Sequence, residues 1–463
     1  MNEREFDVVI LGAGPAGEVC AGRLGEAGLE VAITEPHLIG GECSFYACMP
    51  SKALLRPGEL LAEVRRIPGV SEAVTGELDV QAVLKRRDEI IHGLDDSHME
   101  PWLTQRGVAI VRQAGRLDGE RRVQAGDETL VARRAVVVAT GTDALIPPID
   151  GLREAKPWTN REATTAKEVP ERLVILGGGV VGVEMAQAYR SFGSQITLIE
   201  AADRVLAREE PFASEHVEQS LREAGVDIHL DVKAVGVRAG AGEVEVELEA
   251  GGPVRGDQLL VAIGRRVNTS DIGLESVGLE PGKPISVDDS MRANDWLYAI
   301  GDVNGRALLT HMGKYQARVA ADVILGDEAA CLVVDGARAP RVVFTDPQVA
   351  AVGYTLAAAQ EAGLKVRAAD VSTQGNAGAS FYGRDSSVGT TRLVVDEDRS
   401  VVVGATFTGP EVAEFLQAAT IAVVGEVPLQ RLFHAVPAFP TRSEVWLYLL
   451  EQLGIAGPCQ PLT

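Results

Sequence analysis

The chain has 463 residues, too many for one hydrophobic core and enough for about three domains. A content of 46% hydrophobic and 24% charged residues is that of a globular protein and excludes a disordered or fibrous chain. A formal net charge of −22 repels phosphate backbones and anionic lipid, so neither nucleic acid nor a membrane surface is an expected partner.

The opening Met1-Asn2-Glu3-Arg4-Glu5 is acidic where a signal peptide would be basic, and no apolar run approaches the ~20 residues that span a bilayer. The expectation is a cytoplasmic protein. Asp7 to Leu11 then reads as a short apolar strand running into Gly12-Ala13-Gly14-Pro15-Ala16-Gly17, an Ala-rich helix, and the strand Val31-Ala32-Ile33-Thr34 ending at Glu35. In this pattern the first glycine permits a tight turn, the second lets backbone approach a pyrophosphate, and the third allows close helix-to-strand packing. The helix start then faces the phosphates and the terminal acid accepts hydrogen bonds from ribose hydroxyls.

Gly40-Gly41-Glu42-Cys43-Ser44-Phe45-Tyr46-Ala47-Cys48-Met49-Pro50-Ser51-Lys52 follows and leads into a helix expected over Ala53 to Arg66. Five cysteines are too few for a disulfide scaffold, and only Cys43 and Cys48 lie close together. A thiolate at Cys48 gains from the positive end of a helix dipole, Pro50 suits the first turn, and Lys52 lies one turn later. The alternatives for the pair are a zinc site or two unrelated buried thiols. Zinc calls for further Cys or His at ligand spacing, which is not found nearby, so no metal is expected.

Farther along, the first motif repeats. Leu173 to Leu176 runs into Gly177-Gly178-Gly179-Val180-Val181-Gly182, a helix follows, and the strand Ile196-Thr197-Leu198-Ile199 ends at Glu200. In both copies the acid falls eighteen residues after the third glycine, so one chain is expected to bind two dinucleotides. Glu200 is followed by Ala201, Ala202 and Asp203, with no cation immediately placed for a 2′-phosphate. NADH is expected ahead of NADPH.

Four further segments are Val136 to Gly141 (Val-Val-Val-Ala-Thr-Gly), Gly264-Arg265-Arg266-Val267-Asn268, Leu297 to Asp302 (Leu-Tyr-Ala-Ile-Gly-Asp) and Phe344 to Gly353. With the cysteine motif and the two glycine motifs, they make nearly the whole chain resemble the pyridine nucleotide-disulfide oxidoreductases of the lipoamide dehydrogenase, glutathione reductase and mercuric reductase type. The resemblance implies an α/β fold of two Rossmann-like dinucleotide-binding domains plus a C-terminal α+β dimerisation domain. Residues 1–149 and 268–336 would form a split FAD domain with a central segment, 150–267 the NAD(P) domain, and 337–463 the interface domain of a homodimer.

The resemblance also implies roles. FAD would lie on Gly12, Gly14, Gly17 and Glu35, with Gly41, Gly115, Thr140, Gly141 and Gly264 among the cofactor positions and Asp302 on the ribityl chain. NADH would lie on Gly177, Gly179, Gly182 and Glu200, and Lys52 would pair with Glu184 near the reactive nitrogen of the flavin. Cys48 would be the flavin-facing thiol and Cys43 the exchange thiol that attacks an outside disulfide.

One departure bears on substrate. Most disulfide-reducing members carry, in the partner subunit's C-terminal domain, a His-Pro pair with a glutamate five residues after the histidine. Here the stretch is Phe439-Pro440-Thr441-Arg442-Ser443-Glu444, so Phe439 occupies the histidine slot while Glu444 remains. A phenyl ring carries no proton, and loss of a positioned acid-base group typically costs about 10²- to 10⁴-fold. The expected substrate is therefore a disulfide that does not need that proton, with a quinone, another electrophile or a metal ion as the alternative electron acceptor. Mercuric reductases typically end in a cysteine pair, whereas this chain has only Cys459 near its end. His434 would need rearranged backbone to replace the missing base, and His311 reads as a structural histidine.

Overall fold

A computed structural model describes residues 2–240, 242–382 and 388–455. Two compact units are built from alternating stretches of chain: the described residues of Met1–Pro50, Lys85–Leu145 and Gly264–Gly336 form one, and those of Ser51–Leu84, Ile146–Ile263 and Ala337–Thr463 form the other.

The first unit centres on a seven-stranded sheet. Its parallel part runs Val108–Val111, β2 (Val31–Thr34), β1 (Asn2–Leu11) and Glu128–Val138, with Leu297–Ala299 also parallel to the last of these. Gly115–Leu117 and Arg122–Ala125 extend it as an antiparallel meander. Val8 to Leu11 and all of β2 are buried, as expected of parallel strands covered on both faces. One cover is α1 (Pro15–Glu26), packed by Cys20, Ala21 and Leu24 against Val8, Ile10 and Ile33. Pro15 opens it, where the missing N–H costs nothing. The short α2 (Gly41–Phe45) and the start of α3 (Cys48–Arg65) follow.

The second unit repeats the parallel theme in a four-stranded sheet ordered Asp227–His229, Gln195–Ile199, Arg172–Leu176 and Gln258–Val261. The helix Val180–Ser191 buries Val183, Met185, Ala186 and Tyr189 in the core that Leu54 and Leu55 of α3 also enter. A three-stranded antiparallel sheet lies between the last two strands of the nucleotide motif. The C-terminal part is a five-stranded antiparallel sheet, Arg341–Val343, Gln348–Gly353, Val401–Gly409, Thr390–Asp396 and Val366–Ser372 in order, with the helix Val445–Gln452 packed on it.

The helix expected from Ala53 begins five residues earlier, at Cys48. Its first-turn N–H groups need no intrahelical acceptor, so Pro50 fits there without loss of a bond. No helix among the described residues is long and apolar enough to cross a membrane.

Candidate active site

The first glycine motif forms a cradle whose three glycines differ in their surroundings. Gly12 has φ +99°, and a Cβ there would lie 2.5 Å from the Ala139 carbonyl oxygen. A Cβ on Gly17 would collide with the Gly12 carbonyl oxygen. Gly14, at the N-cap of α1 with φ −71°, has no atom within 4 Å of where its Cβ would be. The first and third glycines are thus demanded by the fold, while the second faces open space at a helix start, as a phosphate cradle requires.

Glu35 closes the cradle. Its buried carboxylate accepts the Ala13 N–H at 2.9 Å and the His37 N–H at 2.8 Å, so it braces the turn between the first two glycines. In the second unit Gly177 (φ +107°) has the Ala262 oxygen 2.5 Å from its Cβ position, Gly182 abuts the Gly177 oxygen, and Gly179 is open. Glu200 accepts the Gly178 N–H at 2.5 Å and the Ala202 N–H at 2.7 Å. The repeat therefore extends to this carboxylate brace, which the linear motif does not reveal. The Arg204 guanidinium donates to the Ala207 carbonyl at 3.1 Å and lies 3.6 Å from Asp203.

The cysteines stand beside the first cradle. Gly40 (φ +102°) donates its N–H to the Ala13 carbonyl at 2.8 Å, and a Cβ on Gly41 (φ +55°) would lie 3.0 Å from the Gly14 Cα. This close approach seats α2, with Cys43, against the start of α1. Cys43 and Cys48 are half-buried and lie close enough for each to act on the other's charge. Thr310 Oγ1, at the start of the helix Thr310–Ile324, lies 3.3 Å from Cys48 Sγ. The neighbouring Cys48 and then burial push the Cys43 thiol up, while Thr310 and the Lys314 ammonium pull it down.

Asp302 lies in a tight turn after Gly301 (φ +74°). Its carboxylate accepts the Thr142 hydroxyl at 2.7 Å and has Arg265 Nε at 3.9 Å. Burial raises its proton affinity, and Thr142 and Arg265 oppose that. Arg265 also donates to Thr142 Oγ1 and O, both at 2.6 Å, and reaches Glu42 at 3.5 Å. Thr140 Oγ1 donates to the Asn268 carbonyl at 2.8 Å, and the Asn268 N–H returns to the Gly141 carbonyl at 3.0 Å. Two segments far apart in sequence therefore meet here. Gly264 lies at the adjoining turn, where its carbonyl accepts the Leu145 N–H at 3.0 Å. Gly115 sits in a strand whose neighbour Thr34 leaves 2.5 Å for a Cβ.

In the second unit Lys52 Nζ bonds Glu184 Oε2 at 2.7 Å. Glu184 is 3% exposed, and its other oxygen accepts the Phe344 N–H at 2.9 Å. The Lys52 ammonium also stands 4.7 Å from the centre of the Phe344 ring. Phe344 was visible in the sequence only as the start of a motif; its double contact with the ion pair was not.

Phe439 is 75% exposed. Glu444 is buried and its Oε2 has no hydrogen-bond partner among the described residues. Arg442 between them is buried over the rings of Tyr382 and Phe415, each 4.8 Å away. The His434 ring stands edge-on to Phe433 at 5.5 Å. Cys459 lies outside the described residues.

Residues 6–321 match the family model "Pyridine nucleotide-disulphide oxidoreductase" and 339–449 match the dimerisation domain of the same family. The chain belongs to the pyridine nucleotide-disulphide oxidoreductase family. It is 30% identical over 454 residues to a dihydrolipoyl dehydrogenase of Chlamydia muridarum, covering 96% of each chain. To a mercuric reductase of Acidithiobacillus ferrooxidans it is 31% identical over 466 residues, 98% of this chain and 82% of that one. Among solved structures, LpdA from Mycobacterium tuberculosis superposes with a TM-score of 0.85 at 26% identity, covering 98% of this chain and 100% of that one. The α/β class, the flavoprotein disulfide oxidoreductase activity and the use of FAD and NAD(H) expected from the motifs are those of this family. The two cradles fit such cofactors, since each leaves its middle glycine open beside a braced turn.

Proposed function

We propose that this enzyme is an NADH-dependent reductase of a disulfide that needs no histidine-borne proton, acting through Cys43 and Cys48. The observation that carries the reading is the placement of the cysteines: α2, with Cys43, is seated against the open cradle at Gly14, and Cys48 Sγ lies 3.3 Å from Thr310 Oγ1. FAD, when bound, supplies the two-electron chemistry between nucleotide and sulfur. Glu35 and Glu200 hold the two turns, Asp302 with Thr142 and Arg265 would offer the polar contact for the ribityl chain, and by family likeness the Lys52–Glu184 pair would set the charge at the flavin. The absence of a cation directly after Glu200 supports NADH over NADPH.

In the exchange, the Cys43 thiolate attacks one sulfur of the substrate disulfide, a mixed disulfide forms, and the first substrate thiolate leaves. Cys48 then attacks the Cys43 sulfur, closing the enzyme disulfide and releasing the second thiolate. The two protons of the enzyme dithiol end on the two product thiols. Phe439 cannot move them, which favours disulfides whose leaving thiols are acidic. The same substitution favours a second reading, reduction of a quinone or other electrophile.

The proposal includes a homodimer in the cytoplasm, with residues 1–149 and 268–336 carrying FAD, 150–267 carrying NADH and 337–463 forming the interface. Exposed Ile421, Val436 and Phe439 and the matched dimerisation domain support the dimer; light scattering that finds a monomer at micromolar concentration contradicts it. The decisive experiment follows NADH oxidation with lipoamide, an aromatic disulfide and a quinone, in wild type, Phe439→His and Cys43→Ser. Slow lipoamide turnover that Phe439→His restores, with disulfide activity lost in Cys43→Ser, supports the reading. Full quinone activity in Cys43→Ser with no disulfide turnover in wild type selects the second one.

A further inference from the structure

The helices Pro15–Glu26 and Thr310–Ile324 pass so closely that a Cβ on Gly313 would lie 3.3 Å from Ala16 Cβ and 3.3 Å from Gly301 Cα. Lys314 follows Gly313, and Glu18 stands two residues beyond Ala16, so opposite charges flank the crossing. On the near side of the same helix start, Gly41 against Gly14 brings in Cys43. Glu18 is 9% exposed, and its carboxylate has no hydrogen bond or ion pair among the described residues. Lys314 is half-buried and its ammonium has no carboxylate within ion-pair distance among the described residues. Thr310, in the first turn of its helix, lies 3.3 Å from Cys48 Sγ, and Lys314 follows one turn later on the same helix, so its charge acts on Cys43 as well as on Glu18.

We propose that Lys314 is the cation that holds the Cys43 thiolate during disulfide exchange, and that Glu18 is the positioning residue that sets how much of that charge reaches the sulfur. The inference rests on the disulfide-exchange reading and supplies what Phe439 cannot, a charge that favours the attacking form of the thiol. Burial raises Glu18 to about 7, with Lys314 opposing and Glu35 adding to the rise. Around neutral pH the Glu18 acid leaves the charge of Lys314 undivided, and the carboxylate takes part of it. The Cys43 thiolate then forms over a broader pH range than a lone thiol would show.

The test uses NADH-reduced holoenzyme, alkylated with iodoacetamide from pH 5.5 to 9, with modification at Cys43 quantified by peptide mass spectrometry. Lys314→Met is expected to slow Cys43 alkylation at pH 7 by about 3- to 10-fold, since one unit in thiol pKa is about tenfold in thiolate. Lys314→Arg is expected to retain the wild-type rate, and Glu18→Gln to raise it about 3-fold and sharpen the profile to a single step. If Lys314→Met loses flavin, the Glu18→Gln profile decides alone, and an unchanged one overturns the inference. Unchanged Cys43 profiles in Glu18→Gln and Lys314→Met overturn the inference. Disulfide turnover that survives Cys43→Ser overturns instead the exchange reading beneath it.

Discussion

Replacing the middle glycine of each cradle separates cofactor binding from folding. Gly14 has φ −71° and ψ 178°, Gly179 has φ −74° and ψ −174°, and both are open to a Cβ. Alanine at either position therefore costs the fold nothing and can stabilise it by about 0.4–1 kcal/mol through the unfolded chain. A methyl group placed where a pyrophosphate must approach backbone acts instead as overpacking, about 1–3 kcal/mol. That is about 5- to 150-fold in affinity. Gly14→Ala is expected to purify as folded protein with weakened FAD binding, read by flavin absorbance and by titration of the apoenzyme. Gly179→Ala is expected to keep its flavin and show a raised KM for NADH at nearly unchanged kcat. Gly17→Ala and Gly182→Ala, whose new methyl groups meet a carbonyl oxygen, are expected to lose thermal stability with or without cofactor. Wild-type flavin affinity in Gly14→Ala together with a wild-type KM in Gly179→Ala would refute the assignment of the two cradles.

Three other substitutions test separate contacts. Glu184→Gln keeps an acceptor for the Phe344 N–H but removes the counter-charge of Lys52, which is itself partly exposed, so a loss of about 1–2 kcal/mol is expected; Glu184→Ala is expected to lose about 3 kcal/mol. Thermal unfolding in which Glu184→Ala is the milder change contradicts that order. Thr310→Val removes the hydroxyl 3.3 Å from Cys48 Sγ and is expected to slow alkylation of Cys48 about 2- to 12-fold, equivalent to about 0.5–1.5 kcal/mol. Because Glu18 is raised to about 7 by burial from an ordinary 4.5, the folded chain binds the proton more tightly than the unfolded one. Its contribution is complete below about pH 4.5 and is lost as pH rises towards 7, so chemical denaturation of Glu18→Gln is expected to show a flatter pH dependence across that window.

The legible parts of the site are those whose physics is local. A positive φ at Gly12 and Gly177, an open Gly14 and Gly179, and a strand-terminal acid at Glu35 and Glu200 are each required by a few consecutive bonds, so fixed spacing reports them. The Lys52–Glu184 pair, implied by family likeness, is met in the structure at 2.7 Å. Thr310, Lys314 and Glu18 carried no local signal. A threonine at a helix start and charges on two helices have ordinary solvent-facing readings, and only the tertiary approaches of Thr310 to Cys48 and of Gly313 to Ala16 set them apart. The helix start at Cys48 is legible from Pro50, which suits a first turn, although the regular helical stretch is counted only from Ala53.

The distance along the chain between Cys48 and Thr310 has a consequence for synthesis. The hydroxyl that contacts Cys48 lies 262 residues downstream, on the last long helix of the first unit. At roughly 5–20 residues per second, a ribosome delivers the thiols roughly 13–52 s before that helix exists. For that interval the nascent chain presents two cysteines five positions apart without the groups that later surround them. The order of translation thus leaves the oxidation state of the pair to the surroundings until the rest of the unit has been made, before the enzyme handles any electrons of its own.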